Sequence, residues 1–119
     1  MRKVDLLKID KDCHVDKSLE QEYALQSIDI LSKHHVRVLW MKATRTRKGS
    51  HYYIRIDPSV KATAANQLQY LLGDDAERVS LNRARINSGL EDWNILFEAV
   101  GRKLRTLYCA HTYRGKLFR

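Results

Sequence analysis

Residues 44–57 read TRTRKGSHYYIRID, and the fold is decided there. Thr44–Ser50 is a polar, cationic run holding one glycine, which predicts a turn. From His51 the residues alternate: His51, Tyr53 and Arg55 belong to one face, Tyr52, Ile54 and Ile56 to the other. A period of two is that of a half-buried strand. Just upstream, Val36–Ala43 (VRVLWMKA) is rich in β-branched and aromatic residues and predicts a second strand. The turn joins the two into a hairpin with one apolar face and one face of histidine, tyrosine and arginine.

Toward the N-terminus, Asp16 and Ser18, with Gln21 three residues after Ser18, form an N-cap signal. Leu19, Tyr23, Ile28 and Leu31 then recur at helical spacing, so Lys17–Lys33 is predicted helical. Val4–Ile9 is a short strand candidate. Toward the C-terminus, Asp57-Pro58 reads as an N-cap followed by proline in the first helical position. Val60, Ala64, Leu68, Leu71 and Leu72 form a stripe, and Gly73 ends that helix. Residues 74–90 admit either a short strand at Val79–Leu81 or a helical turn. Trp93–Val100 fits both classes and is assigned as a strand, because Gly101 then falls at a boundary. Arg102–Tyr113 follows as a helix with Leu104, Leu107, Tyr108 and His111 on one face.

The order β-α-β-β-α-β-α predicts a single α+β domain over residues 1–119. Its first six elements are those of the ferredoxin-like antiparallel βαββαβ unit, with a C-terminal helix added. The first and third strands are then central. Tyr52, Ile54 and Ile56 face the helices, and His51, Tyr53 and Arg55 face the open side, where the last helix can lie.

Charge narrows the partners. The chain of 119 residues carries 22 Lys/Arg against 14 Asp/Glu, a net charge of +8. Seven Lys/Arg and no acid lie between Ile30 and Ile56, and six with no acid between Gly101 and Arg119, whereas the first 29 residues hold seven acids and five bases. Two basic segments beside an acidic remainder predict a cationic face suited to a polyanion. No apolar run approaches the roughly 18 residues of a membrane helix, and acids come too early for a secretory signal, so an intracellular protein with no membrane partner is expected. Cys13 and Cys109 fit no zinc spacing and are expected as thiols.

A strand opening on histidine in a ferredoxin-like sheet (HYYIRI, residues 51–56), with a tyrosine on a later helix (LYCAHTY, residues 107–113), resembles the HUH endonucleases. These are replication initiators and relaxases of rolling-circle elements and some viruses. The length and both segments are similar to the initiators of rod-shaped archaeal viruses with linear genomes. The resemblance implies a metal-dependent nicking and joining endonuclease acting on single-stranded DNA at a viral origin or genome end. Tyr108 would be the nucleophile, with Tyr113 the competitor. The product would be a 5′-phosphotyrosyl link and a free 3′-hydroxyl. The family's histidine pair falls on His51 and Tyr53; His51 matches, and a phenol is a poor ligand. Glu98 is the choice for a further ligand, with Asp5 and His35 as alternatives, and such a set suits Mg²⁺ or Mn²⁺.

Arg45, Arg47 and Lys48 in the turn are expected to hold DNA phosphates, with Tyr53, Arg55, Lys103 and Arg105 as further DNA contacts. One well-placed tyrosine per chain predicts a homodimer, since a second cut needs a second nucleophile. The competing expectations are a non-catalytic single-strand binder of ferredoxin-like or RRM-like fold, and an interaction protein in which His51 and Tyr108 only pack.

Overall fold

The computed structural model describes residues 3–13, 16–96 and 103–110. Its elements are β1 (Val4–Lys11), α1 (Lys17–Lys33), β2 (Arg37–Arg45), β3 (Ser50–Val60), α2 (Ala62–Leu71), α3 (Ala76–Asn87) and β4 (Arg105–Cys109). The four strands form one antiparallel sheet in the order β1-β3-β2-β4. The α+β class and the antiparallel sheet are as the sequence predicts, consistent with a ferredoxin-like arrangement.

Helix α1 has the predicted bounds. The Asp16 carboxylate accepts from the Leu19 amide at 2.9 Å and caps its first turn. Its buried stripe is Glu20, Ala24, Ser27 and Leu31, while Leu19 is 52% exposed. The inward face is thus rotated from the predicted one and carries a carboxylate. The hairpin is as predicted: the Thr46 amide donates to the Gly49 carbonyl at 2.9 Å, and the Gly49 amide donates to Thr46 Oγ1 at 3.0 Å.

Asp57-Pro58 does not open a helix. β3 continues through it to Val60, and α2 begins at Ala62. The β1–β3 ladder runs from Lys11↔Ser50 to Leu6↔Arg55 and resumes only at Val4↔Val60. Pro58 falls in that interruption, where no ladder N–H is required of it. Gly73, at φ +95°, ends α2 as predicted. Residues 74–90 resolve into α3, capped by the Asp75 carboxylate on the Glu77 amide at 3.0 Å.

The core lies between the sheet and the helices. Leu7, Ile9, Val38, Met41, Ala43, Tyr52, Ile54 and Ile56 meet Ala24 and Leu31 of α1, Ala65 and Leu68 of α2 and Ile86 of α3. Tyr52 is fully buried, its ring centroid 4.8 Å from that of Tyr23. The Tyr23 hydroxyl donates to the Leu72 carbonyl at 2.6 Å and ties α1 to the end of α2.

Two further placements differ from expectation. β1 is at an edge of the described sheet rather than at its centre, and the residues predicted as its neighbour are not a strand as far as they are described. Residues 93–96 are irregular, and the rest of Trp93–Val100 lies outside the described residues. Trp93 is instead a buried core anchor. The outer edge of β1 is satisfied by side chains: the Lys8 amide donates to Gln69 Oε1 at 3.0 Å, the Asp10 amide to Asp74 Oδ1 at 2.9 Å, and Arg78 donates to the Lys8 carbonyl at 3.0 Å. Asn94 exchanges amide hydrogen bonds with Gln69 at 2.8 and 3.2 Å and accepts from Arg78 at 2.7 Å. This buried polar cluster does for the backbone of β1 what a neighbouring strand would do.

The second difference is β4. Residues 105–109, predicted within a helix, pair with β2. Met41 lies opposite Tyr108 and Lys42 opposite Thr106, so Leu107 is an extra residue in the ladder. Such a bulge resets the alternation. Arg105, opposite Ala43, and Tyr108, opposite Met41, therefore share the helix-covered face although they are three residues apart. That spacing imitates a helix in the sequence.

Candidate functional site

His51 is the second residue of β3 and is 6% exposed. Its register partners are Asp10 on β1 and Thr44 on β2. The imidazole Nε2 lies 3.4 Å from Asp10 Oδ1. Asp10 is held from behind, because its amide is bound by Asp74, itself paired with Arg78. Burial raises the Asp10 carboxyl above its ordinary value; His51 opposes that rise, while Asp12, Asp74 and Asp75 add to it. Asp74, which is buried, is raised for the same first reason, with Asp10's amide and Arg78 opposing.

The Asp10 carboxylate oxygen is a donor that suits Mg²⁺ or Mn²⁺, and the His51 nitrogen 3.4 Å from it is a donor that Mn²⁺ accepts more readily than Mg²⁺. His51 and Asp10 are thus the residues that would hold the ion, the rest of the shell coming from water and phosphate oxygens. Among the described residues there is no group of three or more His, Cys, Asp or Glu placed for a metal. Glu98, the predicted ligand, lies outside the described residues. Asp5 is taken by Arg55 at 2.9 Å. His35, at φ +62°, sits in the turn between α1 and β2.

Tyr108 is not beside His51. It pairs with Met41, which pairs with Ile54, and Ile54 is three residues from His51 on the same strand. The two side chains therefore belong to opposite faces of the sheet. Tyr108 instead lines a cleft of about 350 Å³ with Ile28, Ser32, His35, Arg37, Val38 and Asp57. Arg37 and Asp57 form an exposed ion pair there at 3.4 Å. Tyr113 lies outside the described residues.

The predicted DNA contacts divide in four. Arg47 and Lys48 are exposed in the hairpin turn, at the end of the sheet where His51 sits, Arg45 is exposed at the end of β2 on the side of Glu20, and Lys103 is exposed just before β4. Arg55 is half-buried, bound to Asp5 and 5.5 Å over the Trp40 ring. Tyr53, 6% exposed, is buried, so its ring offers no open stacking surface. Arg105 does not face the Arg55 side. It grips the buried Glu20 carboxylate with both guanidinium nitrogens. Glu20 also accepts from the Tyr52 hydroxyl at 2.9 Å, and burial followed by this bond pushes Tyr52 up to about 12.

Sequence reasoning missed Asp10. The alternation of Leu7 and Ile9 with Lys8 and Asp10 placed it on the face of His51, but only the register put it opposite that residue. Comparison of the chain with protein-family models, curated proteins and solved structures finds no match. Among the described residues no helix is long and apolar enough to cross a membrane.

Proposed function

We propose that this chain nicks and rejoins single-stranded DNA by tyrosine transesterification, as the HUH endonucleases do, with Mg²⁺ or Mn²⁺ held at His51 and Asp10. The observation that carries the reading is the His51–Asp10 pair, a buried imidazole 3.4 Å from a half-buried carboxylate on the adjoining strand, at the end of the sheet from which the cationic turn projects. Arg45, Arg47 and Lys48 hold the DNA backbone. His51 and Asp10 would hold a divalent cation, which when bound would supply Lewis-acid withdrawal of charge from the scissile phosphate. The tyrosine oxygen attacks phosphorus, a phosphorus–oxygen bond to tyrosine forms, and the bond to the 3′-oxygen breaks. The phenolic proton is lost as the 3′-oxygen gains one. The phosphotyrosyl link keeps the ester, so the reverse reaction rejoins the strand.

The experiment is incubation with end-labelled single-stranded DNA and Mn²⁺. A covalent adduct is expected, and Tyr108→Phe, with binding retained within a few-fold, tests whether Tyr108 supplies its oxygen despite facing away from His51. If Tyr108→Phe still forms the adduct and Tyr113→Phe does not, the nucleophile is Tyr113. Asp10→Asn and His51→Ala should each raise the Mn²⁺ required on the order of tenfold. No adduct under any condition refutes nicking. A second reading, a non-catalytic single-strand binder, is favoured by the separation of His51 and Tyr108 onto opposite faces; DNA retained without an adduct is its signature.

A further inference from the structure

The face of the sheet that carries His51 has a chemistry that nicking does not use. Register sets it out in rows across the strands. One row is Lys8, Tyr53, Lys42 and Thr106; the next is Leu6, Arg55, Trp40 and Cys109. Cations and aromatic rings thus neighbour one another across the strands. Lys42 Nζ stands 4.6 Å from the Trp40 ring centroid and Arg55 Cζ 5.5 Å from it, both within cation–π range. Tyr53 and His51 are buried, but Trp40, Lys42 and Arg55 keep part of their surface exposed. The other tryptophan, Trp93, is 2% exposed and belongs to the core. Trp40 is therefore the accessible aromatic of this face, and it is flanked by two positive charges.

We propose that Trp40 is a stacking platform for a base of single-stranded DNA, with Lys42 taking an adjoining phosphate and Arg55, tied to Asp5, fixing the indole from its other side. The inference rests on the nucleic-acid reading above and adds to it the surface that grips the strand away from the scissile phosphate. Charge complementarity selects the occupant. β2 and β3 run from this patch past Lys42 into the turn of Arg47 and Lys48, so cations stand along the strands and beyond their end. A polyanion can follow that path, and an unpaired base is what an indole with cationic neighbours takes up, since every base has a π-face. A duplex offers its bases only at their edges.

The test uses the full chain and fluorescein-labelled oligo-dT in EDTA, where no cleavage intervenes. Trp40→Leu is expected to weaken binding, read by anisotropy, on the order of tenfold, while Trp40→Phe keeps it within about threefold. Oligo-dT is expected to quench the tryptophan emission of the wild type and to leave that of Trp40→Phe, which reports Trp93 alone, unchanged. Binding by the wild type without quenching, equal binding by Trp40→Leu, or equal quenching by a duplex of the same length would overturn the stacking role and leave the nucleic-acid reading standing. No binding by the wild type at low salt overturns both. Quenching with no covalent adduct in the Mn²⁺ assay supports the platform while refuting nicking.

Discussion

Glu20→Gln probes the contact on which the position of β4 depends. Glu20 is 3% exposed on the inner face of α1, accepts from Tyr52, and is gripped by two nitrogens of Arg105. Glutamine keeps the volume and one acceptor oxygen but removes the charge. Breaking a buried ion pair by deleting one partner costs about 3–5 kcal/mol. Here the Arg105 side chain is 36% exposed and can rehydrate, so the figure falls to about 1.5–3 kcal/mol, the range of hydrogen bonds to a charged group. For a chain of this size that is a fall in Tm of about 6–12 °C.

The loss depends on pH. Burial alone would raise the Glu20 carboxyl, but hydrogen bonds from Arg105 and Tyr52 outweigh it and hold the group below its ordinary value of 4.5. A depressed carboxylate contributes stability above its unfolded value and loses it as pH falls through the folded one. The gap between wild type and Glu20→Gln should therefore be full at pH 7 and close progressively below pH 4.5. Urea unfolding followed by far-UV circular dichroism measures it. Arg105→Met completes a double-mutant cycle with an expected coupling of about 1–3 kcal/mol. A Glu20→Gln cost under about 0.5 kcal/mol at pH 7, a gap at pH 3 equal to that at pH 7, or an additive cycle refutes the placement of Arg105 on the helix-covered face.

Gly49→Ala should cost about 2–3 kcal/mol in the same unfolding assay, because the new Cβ would clash with the Lys11 carbonyl oxygen and stand 2.7 Å from the Cys13 amide, both backbone atoms; a neutral substitution would show that the turn does not close over the end of β1. Arg47→Ala combined with Lys48→Ala should flatten the salt dependence of oligo-dT binding by about 1.4 in log–log slope, two contacts at about 0.7 each; an unchanged slope removes the turn from the interface. If the chain nicks DNA as proposed, a homodimer is expected, because ending a replication cycle would require a second cut while the first tyrosine is still esterified. Light scattering should give about 28 kDa, twice the chain mass of 13.9 kDa, and a monomer that nicks and rejoins would refute it.

Local free energies made part of this protein legible without a structure. Asp16 caps α1 where its side chain reaches the Leu19 amide, Gly73 ends α2 because it takes a positive φ, and the alternation from His51 to Ile56 makes a strand with two unlike faces. Each of these is settled by residues within a few positions of one another. The neighbours of each strand are not. Asp10 meets His51 across 41 residues of chain, and Arg105 meets Glu20 across 85. Those meetings depend on register, which a single extra residue shifts: Leu107 in the β2–β4 ladder turns Arg105 and Tyr108 onto one face and leaves in the sequence a spacing that reads as helix. Side chains can also do the work of a strand, as Gln69, Asp74 and Arg78 do along β1, and nothing in an isolated glutamine, aspartate or arginine announces it. Sequence alone therefore determined the α+β class, the hairpin, the cationic turn and the histidine strand, all set by short-range periodicity and caps. The tertiary structure decided which face each candidate residue occupies, because strand pairing is a long-range choice made by the packing of the whole core.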